Sequence, residues 1–249
     1  MEGLQILTYN RWYPLRFLGF TDPFWSVHEE TILATWIVLG ILLFTSILIH
    51  IGVKKNHPYL RYLAMEYVRF FKGTYTEATG LYNYNNIVFL IALFSFIMLC
   101  NIAAAFIPWI EEPTSDVNTT LAFGITSFLY VQGASITAIG IRAYVKEYFT
   151  PVFLFPLHVV GKLVTIVSLS FRLFGNIFGG SVITKIYNAM KLNSFIGEMI
   201  GMMIGTNLVV TYFFGIFEGL IQAYVFCTLT LTYLAMGVQH NDESSGETV

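Results

Sequence analysis

Long apolar runs dominate the pattern of hydrophobic and polar positions along the chain. The first extends from Ile32 to Val53 without a single Asp, Glu, Lys or Arg. As a helix rising about 1.5 Å per residue it covers about 33 Å, enough to cross a hydrocarbon core of roughly 30 Å. Uncharged runs also cover Asn86 to Ile107 and Thr119 to Ile141. The pattern therefore predicts three membrane-spanning helices in this part of the chain.

Two longer apolar stretches follow, Val152 to Met190 and Ser194 to Gln239, separated by the polar segment Lys191-Leu192-Asn193. Fully helical, they measure about 58 and 69 Å, roughly twice the hydrocarbon thickness. The last proline is Pro156, so no later proline forces a helix break. We therefore expect two long, tilted, antiparallel helices rather than four short ones. The predicted fold class is an all-α membrane protein with about five crossings.

Lysine and arginine in the short loops predict the orientation of these crossings. The segment after the first span carries Lys54, Lys55, Arg61, Arg69 and Lys72, whereas the next loop carries Glu111, Glu112 and Asp116 and no base. The loop after the third span carries Arg142 and Lys146 and is therefore predicted to be cytoplasmic. We expect an external N-terminal segment 1–31, a membrane domain 32–239 and a cytoplasmic tail 240–249. The mixed basic and aromatic segment from Tyr59 to Tyr75 fits either a helix on the inner leaflet or a solvated loop.

Composition narrows the possible functions. The chain is 56% hydrophobic and only 11% charged, which excludes a disordered chain and argues against an ordinary soluble enzyme. Its net charge is -2 and it has no dense basic stretch, so nucleic-acid binding has no electrostatic basis. Cys100 and Cys227 lie within apolar runs and predict neither a disulfide framework nor a metal site. No nucleophile with an oriented base is visible, so we expect no catalytic residue and no cofactor.

Polar residues inside the fourth apolar stretch point to a functional site. Arg172 lies too deep in this stretch to reach the headgroups easily, and an arginine stays charged. An ionisable residue at membrane depth is a candidate for an ion path or a buried pair. Small and polar residues around it recur at steps of three and four and so share one helical face: His158, Lys162, Thr165, Ser168, Arg172, Asn176 and Gly179 or Gly180.

The last stretch repeats this pattern with Asn207, Thr211, Gly215, Glu218 and Gln222. Facing stripes would form a polar cleft, where burial favours the neutral form of Glu218 and allows it to take up and release protons. A second interpretation treats the stripes as structural hydrogen bonding between helices. His158 alone is typical of a packed histidine, and Lys162 of a residue that reaches the interface. A fixed cation would block a cation channel but would suit a device that discharges a carboxylic acid supplied by another subunit.

Three segments of the chain carry specific motifs. The first is Ser168-Leu169-Ser170-Phe171-Arg172-Leu173-Phe174-Gly175-Asn176-Ile177-Phe178-Gly179-Gly180, with its specific Arg-Leu-Phe-Gly-Asn motif. The second is Ile221-Gln222-Ala223-Tyr224-Val225-Phe226, and the third is Pro113-Thr114-Ser115-Asp116-Val117-Asn118-Thr119-Thr120-Leu121. These segments resemble subunit a of the rotary F-type ATP synthase, and the resemblance covers nearly the whole chain from about His28 onward.

The resemblance implies a proton-translocating stator subunit with two half-channels that load and unload carboxylates of a rotating c-ring. Arg172 would face this ring and separate the half-channels, with Asn176 and Gln222 beside it. Together with the predicted orientation, Asn207, Thr211 and Glu218 would line the external inlet, and His158, Lys162 and Ser168 the cytoplasmic outlet. The family often carries an acidic residue or His where this chain has Ser181 and Gly215. Glu218, one turn after Gly215, would replace the carboxylate that the family often has at position 215.

The resemblance also implies partners and a location. The partners would be c-ring subunits, the b subunits of the peripheral stalk and the lipid bilayer. Nothing resembles an organelle transit peptide, which favours a multi-pass protein of the bacterial plasma membrane. Two other functions remain open at this point: a secondary ion transporter, although no internal repeat is visible, and a purely structural subunit of a membrane complex.

Overall fold

The computed structural model describes residues 11–12, 27–107, 112–142, 144, 155–192, 213 and 216–245. Two short strands, β1 (Arg11–Trp12) and β2 (Val27–His28), pair antiparallel with Arg11 opposite His28. The helices are α1 (Glu29–Lys54), α2 (Pro58–Thr79), α3 (Tyr84–Phe106), α4 (Val117–Ile139), α5 (Phe155–Leu192) and α6 (Glu218–Ser245). A 3-10 turn, Pro113–Ser115, precedes α4.

Within this described part, five helices are long and apolar enough to cross a membrane. Their bounds are Glu29–Lys54, Tyr84–Ala103, Val117–Ile139, Val160–Ile183 and Glu218–Val238. The predicted all-α membrane fold with five crossings is therefore confirmed. The single helix α5 extends over 38 residues, about 57 Å at the standard rise. Because that length exceeds a bilayer core, α5 must either tilt or project from it.

Local sequence signals define where several helices begin and end. Pro58 opens α2, since its fixed φ suits the first turn, and Gly80 ends it in the left-handed conformation with φ 69°. The side chain of Asn83 accepts a hydrogen bond from the backbone N–H of Asn85 and caps α3. Asp116 caps α4 in the same way through the N–H of Asn118. Asp116 ends the 3-10 turn and begins α4, so the turn lies directly before this helix.

The segment from Tyr59 to Tyr75, for which the sequence allowed either a surface helix or a solvated loop, is helical and lies within α2. It is not one of the five candidate spans. Phe71, Tyr75 and Thr79 are its buried residues, and the helix packs against α1, α3 and α6. Asn86 of α3 donates to the hydroxyl of Tyr75 at 2.9 Å. This bond fixes the C-terminal half of α2 to the bundle.

The core lies where α3, α4, α5 and α6 meet. Its most buried apolar side chains include Leu90 and Ile97 of α3, Leu173 of α5, and Phe226 and Leu234 of α6. In a bilayer the apolar lipid removes most of the hydrophobic driving force, so close packing and buried hydrogen bonds hold such helices together. Gly124 of α4 allows Ser170 of α5 to approach its backbone.

Contacts at two levels show that α3 and α6 run antiparallel. Asn101 contacts Gly219 near one end, and the Leu90 carbonyl accepts a weak bond from the Cys227 thiol further along. Cys100 and Cys227 are both buried free thiols. The last helix, expected over 194–239, is described from Glu218 onward as α6, and residues 193–212 lie outside the described part.

Candidate functional site

One hydrogen bond joins the two long helices at the predicted site. The Nδ2 of Asn176 on α5 donates to the Oε1 of Gln222 on α6 at 2.6 Å. Gln222 is only 3% exposed, and its Nε2 is buried without a hydrogen-bond partner. The sequence predicts that the polar stripes of these two helices meet, and the structure brings them together at this pair.

Arg172 lies one helical turn before Asn176 and is exposed. Its helix turns Leu169, Leu173 and Ile177 into the core, since these apolar side chains pack closely there, and this rotation leaves the Arg172 side outward. Among the described residues the guanidinium makes neither a hydrogen bond nor an ion pair. The positive charge of Arg172 thus lies within the candidate span Val160–Ile183 and has no partner among the residues that the structure describes.

The outward sides of α5 and α6 adjoin each other. Helix α5 contacts α6 through Asn176 and approaches α4 through Ser170, so Arg172 faces away from the bundle. Helix α6 contacts α5 through Gln222 and α3 through Gly219, and it also packs against α2 and α4. We call the combined surface the outer face; its exposed members are Ser168, Phe171, Arg172 and Phe178 of α5 with Phe217, Leu220 and Ile221 of α6. It presents one cation in an apolar surround.

Glu218 lies one turn before Gln222 on the same side of α6. It is partly exposed, but its Oε2 is buried and has no hydrogen-bond partner. The free acceptor of Glu218 and the free donor of Gln222 thus stand four residues apart, a spacing that places side chains on one helical face. A carboxyl group in this position can exchange a proton without breaking an existing bond.

Among the described residues, the two predicted stripes contact each other at Asn176 and Gln222. Ser168 and Arg172 belong to the outer face, because helix rotation is set by the larger apolar residues that pack in the core. For His158 the structure describes only a backbone position in α5. Asn207, Thr211 and Gly215 lie outside the described residues. Within the described part, no group of three or more His, Cys, Asp or Glu residues could hold a metal ion.

Sequence reasoning missed a buried polar network beside this site. The Nδ2 of Asn101 on α3 donates to the carbonyl oxygen of Gly219 at 2.9 Å. The Oγ1 of Thr114, in the 3-10 turn, donates to the Oδ1 of Asn101 at 2.7 Å. An asparagine in the otherwise apolar run of α3 was the available signal, since a buried amide needs partners.

Comparison with known proteins agrees with this architecture. The family model of the ATP synthase A chain matches residues 32–235. An ATP synthase subunit a of Moorella thermoacetica is 36% identical over 212 residues, covering 83% of this chain and 89% of the relative. A subunit a of Legionella pneumophila is 34% identical over 164 residues, 65% of each chain. A chloroplastic subunit a of Bigelowiella natans is 30% identical over 228 residues, 86% of this chain and 87% of the relative.

Proposed function

Since the chain belongs to the ATP synthase A chain family, whose members are membrane subunits that work in a complex with other Fo subunits, we propose that it is the stator subunit that conducts protons to and from a rotating c-ring. The observation that carries this proposal is Arg172, an exposed cation on the outer face with no partner among the described residues. The surrounding apolar side chains suit contact with another membrane-embedded surface.

A permanent cation has two effects on a passing ring of carboxylic acids. It favours the ionised form of each acid that comes close, because opposite charges attract strongly where the dielectric constant is low. It also repels protons, so that they do not pass directly from one side of the membrane to the other. Each proton is then carried from the inlet to the outlet on a carboxylic acid of the ring, and this couples proton flow to rotation.

The inlet comprises Glu218, Gln222 and Asn176, together with Asn207 and Thr211. Glu218 receives a proton from the external side and passes it toward the ring, and the amides of Gln222 and Asn176 supply hydrogen bonds beside it. The outlet comprises His158, Lys162 and Ser168. This chain performs no covalent step, and the other subunits of the complex carry out ATP chemistry.

The proposed setting follows from the same premise. The protein spans a bacterial plasma membrane several times, with segment 1–31 outside and tail 240–249 in the cytoplasm. Helix α2 lies on the inner leaflet through its exposed apolar side chains. The c-ring contacts the outer face, and the b subunits of the peripheral stalk hold the chain against rotation.

Replacing the arginine tests the proposal. Arg172→Ala should abolish both ATP-driven proton pumping and gradient-driven ATP synthesis in membrane vesicles, while the assembled complex stays at its normal level. Arg172→Lys should retain little activity, because lysine lacks the planar fork and can lose its proton. Arg61→Ala, which removes an exposed cation of α2, is the matched control and should pump normally. Normal coupled synthesis with fully assembled Arg172→Ala complex would refute the mechanism and favour a purely structural subunit.

A further inference from the structure

The network of Asn101, Thr114 and Gly219 connects three elements that are distant in sequence. Asn101 is 1% exposed and Thr114 is 0% exposed, so both hydrogen bonds are shielded from water and lipid. The chain of bonds runs from the 3-10 turn through α3 to the first turn of α6. Removing one member would leave a buried polar group without its partner, which is costly.

Shape reinforces the hydrogen bonds at Gly219. A Cβ atom built on this glycine would lie 2.9 Å from the Cβ of Asn101, closer than side chains tolerate. The backbones of α3 and α6 therefore meet at this point because position 219 has no side chain. Both the contact and the bond fix α6 along its axis and about it.

Gly219 directly follows Glu218 and precedes Gln222 by three residues. An α-helix advances about 1.5 Å and turns about 100° per residue, so a small shift at Gly219 moves Gln222 away from Asn176. The 2.6 Å bond between these amides depends on that register. A shift of the 3-10 turn before α4 would therefore change the distance between Asn176 and Gln222.

We propose that Asn101 and Thr114 are positioning residues of the proton inlet, which hold the first turn of α6 so that Glu218 and Gln222 stand in register with Asn176. This inference rests on the proposed function. It assigns the segment before α4 a role in proton uptake that goes beyond connecting two spans. Of the elements that contact this turn, α3 and α4 carry no charged residue, and Glu112 and Asp116 flank the turn itself. Helix α5 carries His158, Lys162, Arg172, Lys185 and Lys191, and α1 carries Glu29, Glu30, His50 and Lys54.

The test uses the whole ATP synthase in proteoliposomes. Gradient-driven ATP synthesis is measured against the proton concentration on the inlet side, with the opposite pH and the membrane potential held fixed. Thr114→Val removes the hydroxyl donor and keeps the size. It should raise the half-saturating proton concentration about fivefold, the equivalent of one lost hydrogen bond, with little change in the maximal rate per assembled complex.

Two controls separate positioning from general stability. Thr114→Ser keeps the donor and should behave as the unmodified protein. Thr120→Val removes another fully buried hydroxyl, one that bonds within its own helix to the carbonyl of Val117 at 3.0 Å, and should leave the half-saturating concentration unchanged. A fivefold shift in Thr114→Val alone supports the inference.

The contrary outcomes are distinct. An unchanged half-saturating concentration in Thr114→Val would overturn the inference, as would an equal shift in Thr120→Val. If Thr114→Val and Thr114→Ala both fail to assemble while Thr114→Ser works, the residue is structural and the inference is wrong. The Arg172→Ala result decides the proposed function separately: if coupling is lost there but Thr114→Val is normal, only the positioning role fails.

Discussion

At the residue scale, two side chains with opposite proton chemistry stand at different places on the α5–α6 pair. Arg172 is a guanidinium side chain that donates hydrogen bonds but accepts none, and it lies on the exposed side of its helix. Glu218 can gain and lose a proton, and its Oε2 is buried beside the Asn176–Gln222 junction. In the proposed mechanism the first residue sets the charge state of the ring and the second supplies the proton. In this proposal the two roles require different exposure: Arg172 is exposed, whereas Glu218 is partly exposed and has a buried Oε2.

Glu218→Gln tests the relay at this scale. The amide keeps the shape and can form hydrogen bonds but cannot titrate, so passive proton conductance through the membrane sector should fall at least about tenfold. The measurement is the decay of an imposed pH gradient in vesicles from which the catalytic sector has been removed. Glu77→Gln, on an exposed position of α2, is the matched control. Normal conductance in Glu218→Gln would show that this carboxylate is structural.

At the element scale, small residues decide how closely the helices approach. The face of α4 that turns into the bundle carries Thr120, Gly124, Ser127, Val131 and Ser135 as its buried residues. Gly124 accommodates Ser170 of α5, and Ser135 lies against Gly237 of α6. Helix α4 therefore holds both long helices through contacts that tolerate little added volume. This packing fixes which side of α5 is left to carry Arg172 outward.

Gly124→Ala tests this packing. The new methyl group would collide with the Ser170 hydroxyl, so we expect the variant to lose thermal stability, by about 1–3 kcal/mol as in other overpacked cores. Thermal unfolding in detergent, followed by circular dichroism, measures the change. Gly133→Ala, where the added atom meets open space, should leave the midpoint unchanged or raise it slightly.

A second variant identifies the cause of that loss. Gly124→Ala combined with Ser170→Ala removes the colliding oxygen and should recover part of the stability. Equal midpoints for Gly124→Ala and Gly133→Ala would show that α4 and α5 pack more loosely than the structure indicates.

At the scale of the whole molecule, five spans require that successive loops lie on opposite sides of the membrane. The bases around α2 and the acidic turn before α4 are joined by the single span α3, so they belong to different sides. The proposed orientation puts α2 on the cytoplasmic face of the membrane and the 3-10 turn outside, since loops rich in lysine and arginine stay on the cytoplasmic side. The inlet at Glu218 then opens externally, because Asn101 and Thr114 hold the first turn of α6 next to that loop.

Single cysteines at Asn56 and Asn118, both exposed, test this topology. In a background without Cys100 and Cys227, a membrane-impermeant thiol reagent should label position 118 from outside intact cells. It should label position 56 only in inverted vesicles. Both native cysteines are buried, so their replacement by alanine should leave assembly intact. Labelling of the two positions from one side would contradict the five-span arrangement.

The sequence by itself determined the fold class and the family, and it supplied the candidate site residues. Apolar runs of bilayer length leave helices as the available structure, since backbone groups in lipid must bond within their own segment. Step-of-four spacing placed Asn176 and Gln222 on polar stripes, and the motif around Arg172 indicated the family. Run length, spacing and motifs are local properties, so the amino-acid sequence alone reveals them.

Only the tertiary structure decided how the helices are rotated and which residues touch. Leu169, Leu173 and Ile177 share α5 with the polar stripe, and their packing in the core leaves Arg172 on the outer face. The bonds from Thr114 through Asn101 to Gly219 join positions up to 118 residues apart. No periodicity encodes such pairs, because a buried amide signals that it needs a partner but does not specify which element supplies it.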